Sequence, residues 1–344
     1  MTAADAAASL EVSDATRLVA APSVSVLMLA YNHGPYLAEA IESVLAQDCP
    51  FAFELLIGED CSTDDSRAIA LRYQQAHPER VRVVFADANV GFLANNRRLF
   101  ERARGEFIAY CEGDDYWCRR DKLAAQVALL RADPRAAMVH ADWVRARQRE
   151  GSWQVDWRRP AHRRVPARLL RGDLFAAFYY GRILRTCTVL QRRSCLAGYY
   201  ASPLGTRGFR FIDTARSAFL TAAWPVAYWP EVAAVYRESP GSALRSGQRS
   251  FLGFLRSALE FDTEARLAFR DRADYPASYR LECAVGLAVR ALRLGDVAVA
   301  REAWADLRAH FGPIAAARAA WAALRLRWPS LRAAERQPPP VRAG

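Results

Sequence analysis

Val24-Ser25-Val26-Leu27-Met28-Leu29-Ala30-Tyr31-Asn32-His33-Gly34-Pro35 is the stretch that sets the architecture. Its first six residues are mostly apolar and β-favouring, without strict alternation, which fits a strand buried on both faces. A polar turn follows at Tyr31–Gly34. Pro35 then opens a helix whose apolar positions Leu37, Ile41, Val44 and Leu45 share one face. The unit recurs. Phe53–Ile57 is a second strand running into Glu59-Asp60, and Ser62–Asp65 supplies N-cap chemistry for a helix through His77. Val81–Phe85 is a third strand, Asn89-Val90-Gly91 a turn and Leu93–Arg102 a helix. Phe107–Cys111 is a fourth strand, ending in the acidic turn Glu112-Gly113-Asp114-Asp115.

Strand–helix alternation at this spacing predicts an α/β, doubly wound, mostly parallel sheet. Such sheets bind ligands beyond the carboxyl ends of their strands. Those ends carry Tyr31 and Asn32, then Glu59 and Asp60, then Glu112, Asp114 and Asp115, so oxygen ligands converge on one edge of the sheet. No GxGxxG follows the first strand and no GxxxxGK[ST] occurs, which excludes a dinucleotide fingerprint and a P-loop. Phosphates bound here must be held by a metal rather than by a glycine loop.

The rest of the chain bounds the context. Its 344 residues suffice for one large domain and a smaller appendage, and 52% hydrophobic with 25% charged residues is an ordinary globular composition. The seven cysteines form no CxxC pair and no zinc-ligand spacing, which together with the lack of a signal-peptide layout favours a reducing cytoplasm. No run of about eighteen apolar residues predicts a membrane span. Residues 1–22 read as a flexible, Ala-rich leader. Residues 140–205 are Arg- and aromatic-rich, followed by a helix over Phe211–Ala223 and a strand over Val226–Tyr236. Beyond Ser242 the pattern is helical to about residue 333, including a hairpin of Tyr279–Leu294 and Val297–His310 that resembles a single tetratricopeptide-like pair. The end, Gln337-Pro338-Pro339-Pro340, reads as a loose tail.

Net charge is +11, and Lys122 is the single lysine. Between Arg145 and Arg193 thirteen arginines face three acids, Glu150, Asp156 and Asp173, which is +10. Two readings stand: a surface for an anionic partner, such as lipid headgroups or a lipid-diphosphate acceptor, or a solvated face in an Arg-biased chain. Nucleic acid is not expected, because no reader motif accompanies the charge.

Four stretches resemble the family 2 glycosyltransferases of the GT-A fold. Ala30-Tyr31-Asn32 with Ile41-Glu42-Ser43-Val44-Leu45-Ala46-Gln47 matches the opening strand and helix. Glu59-Asp60-Cys61-Ser62-Thr63-Asp64 resembles the DDGSTD turn, and Asn89-Val90-Gly91 through Ala103-Arg104-Gly105-Glu106 the NxG…ARGE segment. Glu112-Gly113-Asp114-Asp115-Tyr116-Trp117, with Lys122-Leu123 and Gln126-Val127, resembles the DxDD-x-W and KL..QV stretch. The resemblance thins beyond residue 140 and returns at Arg185–Val189, Phe211-Ile212-Asp213 and Val235-Tyr236-Arg237.

The resemblance implies an inverting enzyme that moves a sugar from a nucleoside-diphosphate sugar, UDP-linked in the first instance, to a hydroxyl of a glycan or lipid-linked acceptor. Bacterial relatives commonly do this in surface polysaccharide, lipopolysaccharide or O-antigen synthesis, at the inner face of the plasma membrane. It divides the chain into a leader (1–22), a GT-A domain (23–245) with a nucleotide-sugar half (23–140) and an acceptor half (141–245), a helical extension (246–335) and a disordered tail (336–344). Mg2+ or Mn2+ is implied, held by Asp114 and Asp115 with Glu112. Glu112 is one methylene longer than the usual Asp and has an alternative role toward the ribose or a metal-bound water. Asp60 is the base-recognising carboxylate or a loop Asp bonding its own turn, with backbone near Ala30 and Tyr31 closing the pocket beside Asn32. Asn95 faces the donor phosphates or starts a helix. Asp213 is the catalytic base, an N-cap or both, with Asp142 as competitor at the acceptor side. Arg237 contacts phosphate or forms a structural ion pair, and Ser239 stands where the family has His. The rival to turnover is a degenerate member that binds a nucleotide sugar or a partner without transfer.

Overall fold

The computed structural model describes residues 9–178, 183–239, 248–276 and 278–314. Strands β1 (Leu10–Val12), β2 (Val24–Ala30), β3 (Phe53–Glu59), β4 (Val81–Phe85) and β5 (Phe107–Tyr110) alternate with helices α1 (Gly34–Leu45), α2 (Ser66–Ala76) and α3 (Gly91–Arg102). Then come β6 (Tyr116–Trp117), α4 (Lys122–Ala132), the long hairpin β7 (Met138–Arg149) and β8 (Ser152–Val155), β9 (Leu190–Arg192), α5 (Arg193–Ala201), α6 (Pro203–Thr206), α7 (Asp213–Ala223) and β10 (Val226–Arg237). Helices α8 (Gln248–Ala268) and α9 (Ser278–Arg293) follow, and 297–314 is helical.

The strands form one ten-stranded sheet in the order β1-β4-β3-β2-β5-β9-β7-β10-β6, with β8 on β7. Neighbours β4, β3, β2 and β5 run parallel, and so do β7 and β10. The antiparallel members are β1, β6, β8 and β9. Every residue of β2 and β3 is buried, as the unalternated apolar runs require of central strands covered on both faces. Val26, Met28, Leu55, Ile57, Val83 and Phe107 of the sheet pack with Leu37 and Ile41 of α1 in one core.

Two features depart from the reading of sequence. The leader is not wholly loose: β1 pairs antiparallel with β4, and Glu11 takes Arg82 Nε at 2.9 Å. The boundary near residue 245 is also interrupted. Internal packing divides the chain into Met1–Ser242 with Glu264–Tyr275, and Ala243–Thr263 with Pro276–Gly344. Residues 264–275 rejoin the first unit because Phe269 and Tyr275 pack their rings on Phe175, and Arg272 bonds Asp173 at 2.8 Å. In the second unit Arg280 pairs with Asp262 at 3.0 Å and with Asp306. Gly295, at φ +72°, turns the chain from α9 into the helix over 297–314, as the hairpin pattern predicts. Residues 1–8 of the leader, 315–335 of the helical extension and the tail at 336–344 lie outside the described residues.

Candidate active site at the acidic turn

The turn after β5 is pinned to the end of β2. Gly113 donates its N–H to the Leu29 carbonyl at 2.9 Å, and Asp115 donates to Glu112 at 2.9 Å. Glycine is required at 113, because a Cβ there would sit 2.7 Å from His33 Nδ1 and 3.1 Å from Leu29 O. The three carboxylates of the turn then diverge. Asp115 points inward: it is 2% exposed, and its Oδ1 accepts the Arg237 backbone N–H at 2.9 Å. Burial, with the Asp114 and Glu112 charges, pushes its carboxyl well above the usual range. Asp114 stays partly exposed, with Oδ2 accepting the Ser239 hydroxyl at 2.6 Å. Glu112 has a buried Oε2 with no hydrogen-bond partner. Its carboxyl is pushed up to about 7 by burial, then by the charges of Asp114 and Asp213. Of the three, Asp114 and Glu112 keep an oxygen available to a ligand; Asp115 anchors the turn to β10.

Asp213 is the first residue of α7 and bonds its own turn, accepting Thr214 N–H at 2.9 Å. The charges of Asp114 and Asp213 both act on the Glu112 carboxyl, so the start of α7 lies near the acidic turn. Arg216, one turn further along α7, lies near it too. Its guanidinium is fully buried, 4.0 Å over the Tyr110 ring, with Nε and one NH group unpartnered. The sequence reading missed Arg216. The available signal was its three-residue spacing from Asp213, which puts both on one helix face.

Asp60 has a structural task. Its two carboxylate oxygens accept Val90 and Gly91 N–H at 2.9 Å each, seating the first turn of α3. Its own N–H bonds the Ala30 carbonyl at 3.0 Å, so the ends of β2 and β3 meet there. Asn32, at φ +53°, accepts Thr63 N–H at 2.8 Å and latches the two turns, while Tyr31 stands 47% exposed beside it. Asn95 does not face this pocket. It is buried, and its amide donates to Gly58 O at 2.8 Å, holding α3 on β3, while its Oδ1 accepts Arg98 Nε of the same helix at 3.0 Å. Gly58 makes room for it: a Cβ there would meet Asn95 Oδ1 at 2.2 Å. Arg98, also unforeseen, bonds Glu59 O at 2.7 Å beneath Asp60.

Arg237 is likewise committed within the protein. Its guanidinium pairs with Glu39, donates to Asp114 O at 3.2 Å and lies 4.5 Å over the Tyr116 ring. The ion pair with Glu39 is one of the two alternatives of the sequence reading, and the Arg237 Nε stays buried without a partner. Asp142 accepts Trp143 and His162 N–H at 2.7 and 2.9 Å, in a buried group with His140 and Tyr228. Its oxygen is spent on backbone there.

For a divalent metal, the donor set consists of hard carboxylate oxygens, one of them buried and orphaned at Glu112 Oε2. Among the described residues no three or more His, Cys, Asp or Glu side chains are grouped so as to hold an ion alone. Two carboxylates fit an ion whose remaining ligands come from water and phosphate, which is how Mg2+ is commonly bound.

A family model, glycosyl transferase family 2, matches residues 25–188. An uncharacterized protein of Mycobacterium tuberculosis is 37% identical over 111 residues, 32% of each chain. A Bacillus subtilis protein named for teichuronic acid biosynthesis, the glycosyltransferase TuaG, is 37% identical over 109 residues, 32% of this chain and 42% of that one. The match thus spans about a third of the length of the first of these relatives. Among solved structures, Staphylococcus aureus TarS in complex with UDP-GlcNAc aligns with a TM-score of 0.59 at 16% identity, over 90% of this chain and 87% of that one. The mannosyltransferase PcManGT from Pyrobaculum calidifontis, in complex with GDP-Man and Mn2+, aligns with a TM-score of 0.54 at 19% identity, over 90% and 81%. At these identities the structural likeness speaks to fold, the GT-A architecture with helices at the C-terminal side.

Proposed function

We propose that this chain, whose residues 25–188 match glycosyl transferase family 2, is an inverting transferase. It moves a sugar from a nucleoside-diphosphate sugar, UDP-linked by preference, to a hydroxyl of a cell-envelope glycan or its lipid-linked precursor. The observation that carries this reading is the acidic turn at the carboxyl end of β5, where Glu112 Oε2 is buried without a partner and the charges of Asp114 and Asp213 both act on the Glu112 carboxyl. TuaG's name supports the envelope assignment, and the nucleotide sugars held by the two structural neighbours support the donor class.

Asp114 and Glu112 are the residues to hold Mg2+ or Mn2+, with Asp115 fixing the turn through Arg237. A divalent ion bound there would offset the negative charge that grows on the diphosphate as the glycosidic bond breaks. The base lies between the turns at Tyr31-Asn32 and Asp60, each oxygen of which retains a second lone pair beyond its helix contact. Asp213 accepts the proton of the attacking acceptor hydroxyl, on the face of the sugar opposite the leaving diphosphate. Arg216 brings a buried positive charge beside Glu112, opposing the upward push that burial gives its carboxyl. The arginines between 145 and 193 make the acceptor side basic, toward anionic acceptors or an anionic membrane face.

A donor screen by thermal shift, with and without Mn2+, followed by single-turnover donor cleavage, tests this. Stabilisation by a nucleotide sugar, with cleavage that Asp213→Asn removes, supports transfer. Binding with no cleavage across plausible acceptors would point instead to a nucleotide-sugar-binding member without turnover.

A further inference from the structure

The hairpin β7–β8 and the residues after it form a half-open surface cavity of about 360 Å³ lined by Arg145, Arg147, Arg149, Arg158 and Arg159, with Asp156 as its single acid. Glu238 partly neutralises two of these, accepting Arg145 at 2.7 Å and Arg147 at 2.9 Å. Arg159 stands 3.9 Å from Asp156. Among the described residues Arg149 and Arg158 have no carboxylate partner. Five arginines around one concavity, with two carboxylates among them, leave an excess of positive charge that an anion with several oxygens would offset, and guanidinium forks bind such oxygens in pairs.

The cavity is joined to the acidic turn by a short stretch of chain. Arg145 lies opposite Tyr236 in the β7–β10 register. The next residues alternate: Arg237 bonds Asp114 and Asp115 of the turn, Glu238 holds the cavity's arginines, and Ser239 bonds Asp114 again. Trp153 of β8 packs on Tyr36 at 5.7 Å and lies beside Arg237, fastening the hairpin to α1. The donor's diphosphate already has the acidic turn and its ion, so a second anion is called for by the remaining substrate. No aromatic ring is among the residues that line the cavity, and Trp157, 52% exposed between Asp156 and Arg158, is the ring nearest in sequence.

We propose that this arginine cavity is a phosphate subsite for the acceptor: the enzyme takes an acceptor carrying a phosphodiester or diphosphate, and the cavity holds that group while its sugar or polyol hydroxyl reaches Asp213. This rests on the transferase reading above and narrows its acceptor to a phosphorylated one. A lipid-borne phosphate and a phosphate on a soluble glycan chain present the same chemistry to this cavity.

Calorimetric titration of the full chain with inorganic pyrophosphate in metal-free buffer tests it, against the charge-reversed variant Arg149→Glu/Arg158→Glu. UDP with Mn2+ is titrated in parallel to read the donor site. Pyrophosphate affinity at least tenfold weaker in the variant, with UDP affinity unchanged, is the expected result. Equal pyrophosphate affinity in both proteins, with UDP still bound, would overturn the subsite and leave the transferase reading standing. Loss of UDP affinity in the variant would also overturn it, since the arginines would then serve the donor. Failure of the wild type to bind UDP at all would instead remove the transferase premise. A random single-stranded oligonucleotide binding more tightly than pyrophosphate, and only to the wild type, would reassign the cavity to nucleic acid and overturn the proposal. Phosphatidylglycerol vesicles separate the two sources. Displacement of bound pyrophosphate by these vesicles, and not by phosphatidylcholine, supports a lipid-borne phosphate at this subsite; pyrophosphate binding unaffected by either supports a soluble one.

Discussion

At the scale of single residues, the acidic turn shows how far identity and orientation differ. A run of carboxylates is visible in the sequence, but which of them faces outward is decided by partners far along the chain. Asp115 is drawn inward by the backbone of Arg237, and Asp114 is met by Ser239, residues more than a hundred positions away. That is why the sequence favoured Asp115 as a ligand and left Glu112 in doubt, while the structure leaves the orphan oxygen on Glu112. If Asp213 takes the acceptor proton, Asp213→Asn should lower single-turnover transfer by about 100-fold or more. UDP affinity should stay within about twofold, because the amide keeps the shape of the turn; an unchanged transfer rate would remove Asp213 from the reaction. Lys122 makes a separate prediction about stability. It is fully buried, bonded to Gln126 at 2.8 Å and 4.0 Å over the Trp117 ring. Burial pushes it down to about 7 from an ordinary 10.5, despite the favourable ring face. Between those two values the unfolded chain binds a proton that the folded chain does not, so this residue's contribution makes stability rise with pH across that window and stay level below it. Urea midpoints measured from pH 7 to 10 should climb more steeply for the wild type than for Lys122→Met. Parallel slopes would mean that Lys122 stays charged in the fold.

At the scale of elements, most of the sheet was legible because its central strands are apolar throughout and each is followed by turn chemistry and a periodic helix. β1 was not. Three residues, Leu10–Val12, are too few to carry a period, and their place is set by Arg82 reaching back to Glu11 from β4. Motif segments also divide between two ends of the sheet. Asn89-Val90-Gly91 ends at Asp60, on the ligand side. Ala103-Arg104-Gly105-Glu106 lies at the opposite end, where Ser25 Oγ takes Gly105 N–H at 2.8 Å and Glu54 takes Arg104 Nε at 2.8 Å. This second segment therefore builds the fold rather than the chemistry. A Cβ on Gly105 would sit 2.4 Å from the Ser25 backbone nitrogen, inside the β2–β5 pairing. Gly105→Ala should thus cost about 3 kcal/mol by forcing two central strands apart, read as a lower urea midpoint. A midpoint equal to that of the wild type would show that the strand pair yields without cost. Asn95 and Arg216 show the same limit on reading polarity along a helix: one is turned under α3 and the other into the site, and nothing local distinguishes them.

At the scale of the molecule, the sequence placed a helical part after the sheet but drew one cut between them where the chain crosses three times. Residues 264–275 belong with the sheet because Arg272 and two aromatic rings find partners there, contacts no local pattern announces. The helical unit has its own buried anchor, Arg280, between Asp262 and Asp306. Removing it with Arg280→Ala takes the buried cation away from both Asp262 and Asp306 and should cost that unit about 3 kcal/mol. Hydrogen exchange should show protection lost over α9 and 297–314 while β2, β3 and β5 retain theirs; uniform loss would mean that the chain unfolds as one body. The central claim, however, is that the acidic turn binds a nucleoside diphosphate through a divalent ion. Calorimetric titration of UDP into the wild type and Asp114→Ala, each with and without Mn2+, tests it most directly. The account expects strong binding only to the wild type and only with Mn2+; equal UDP affinity without the ion, or in Asp114→Ala, would contradict it.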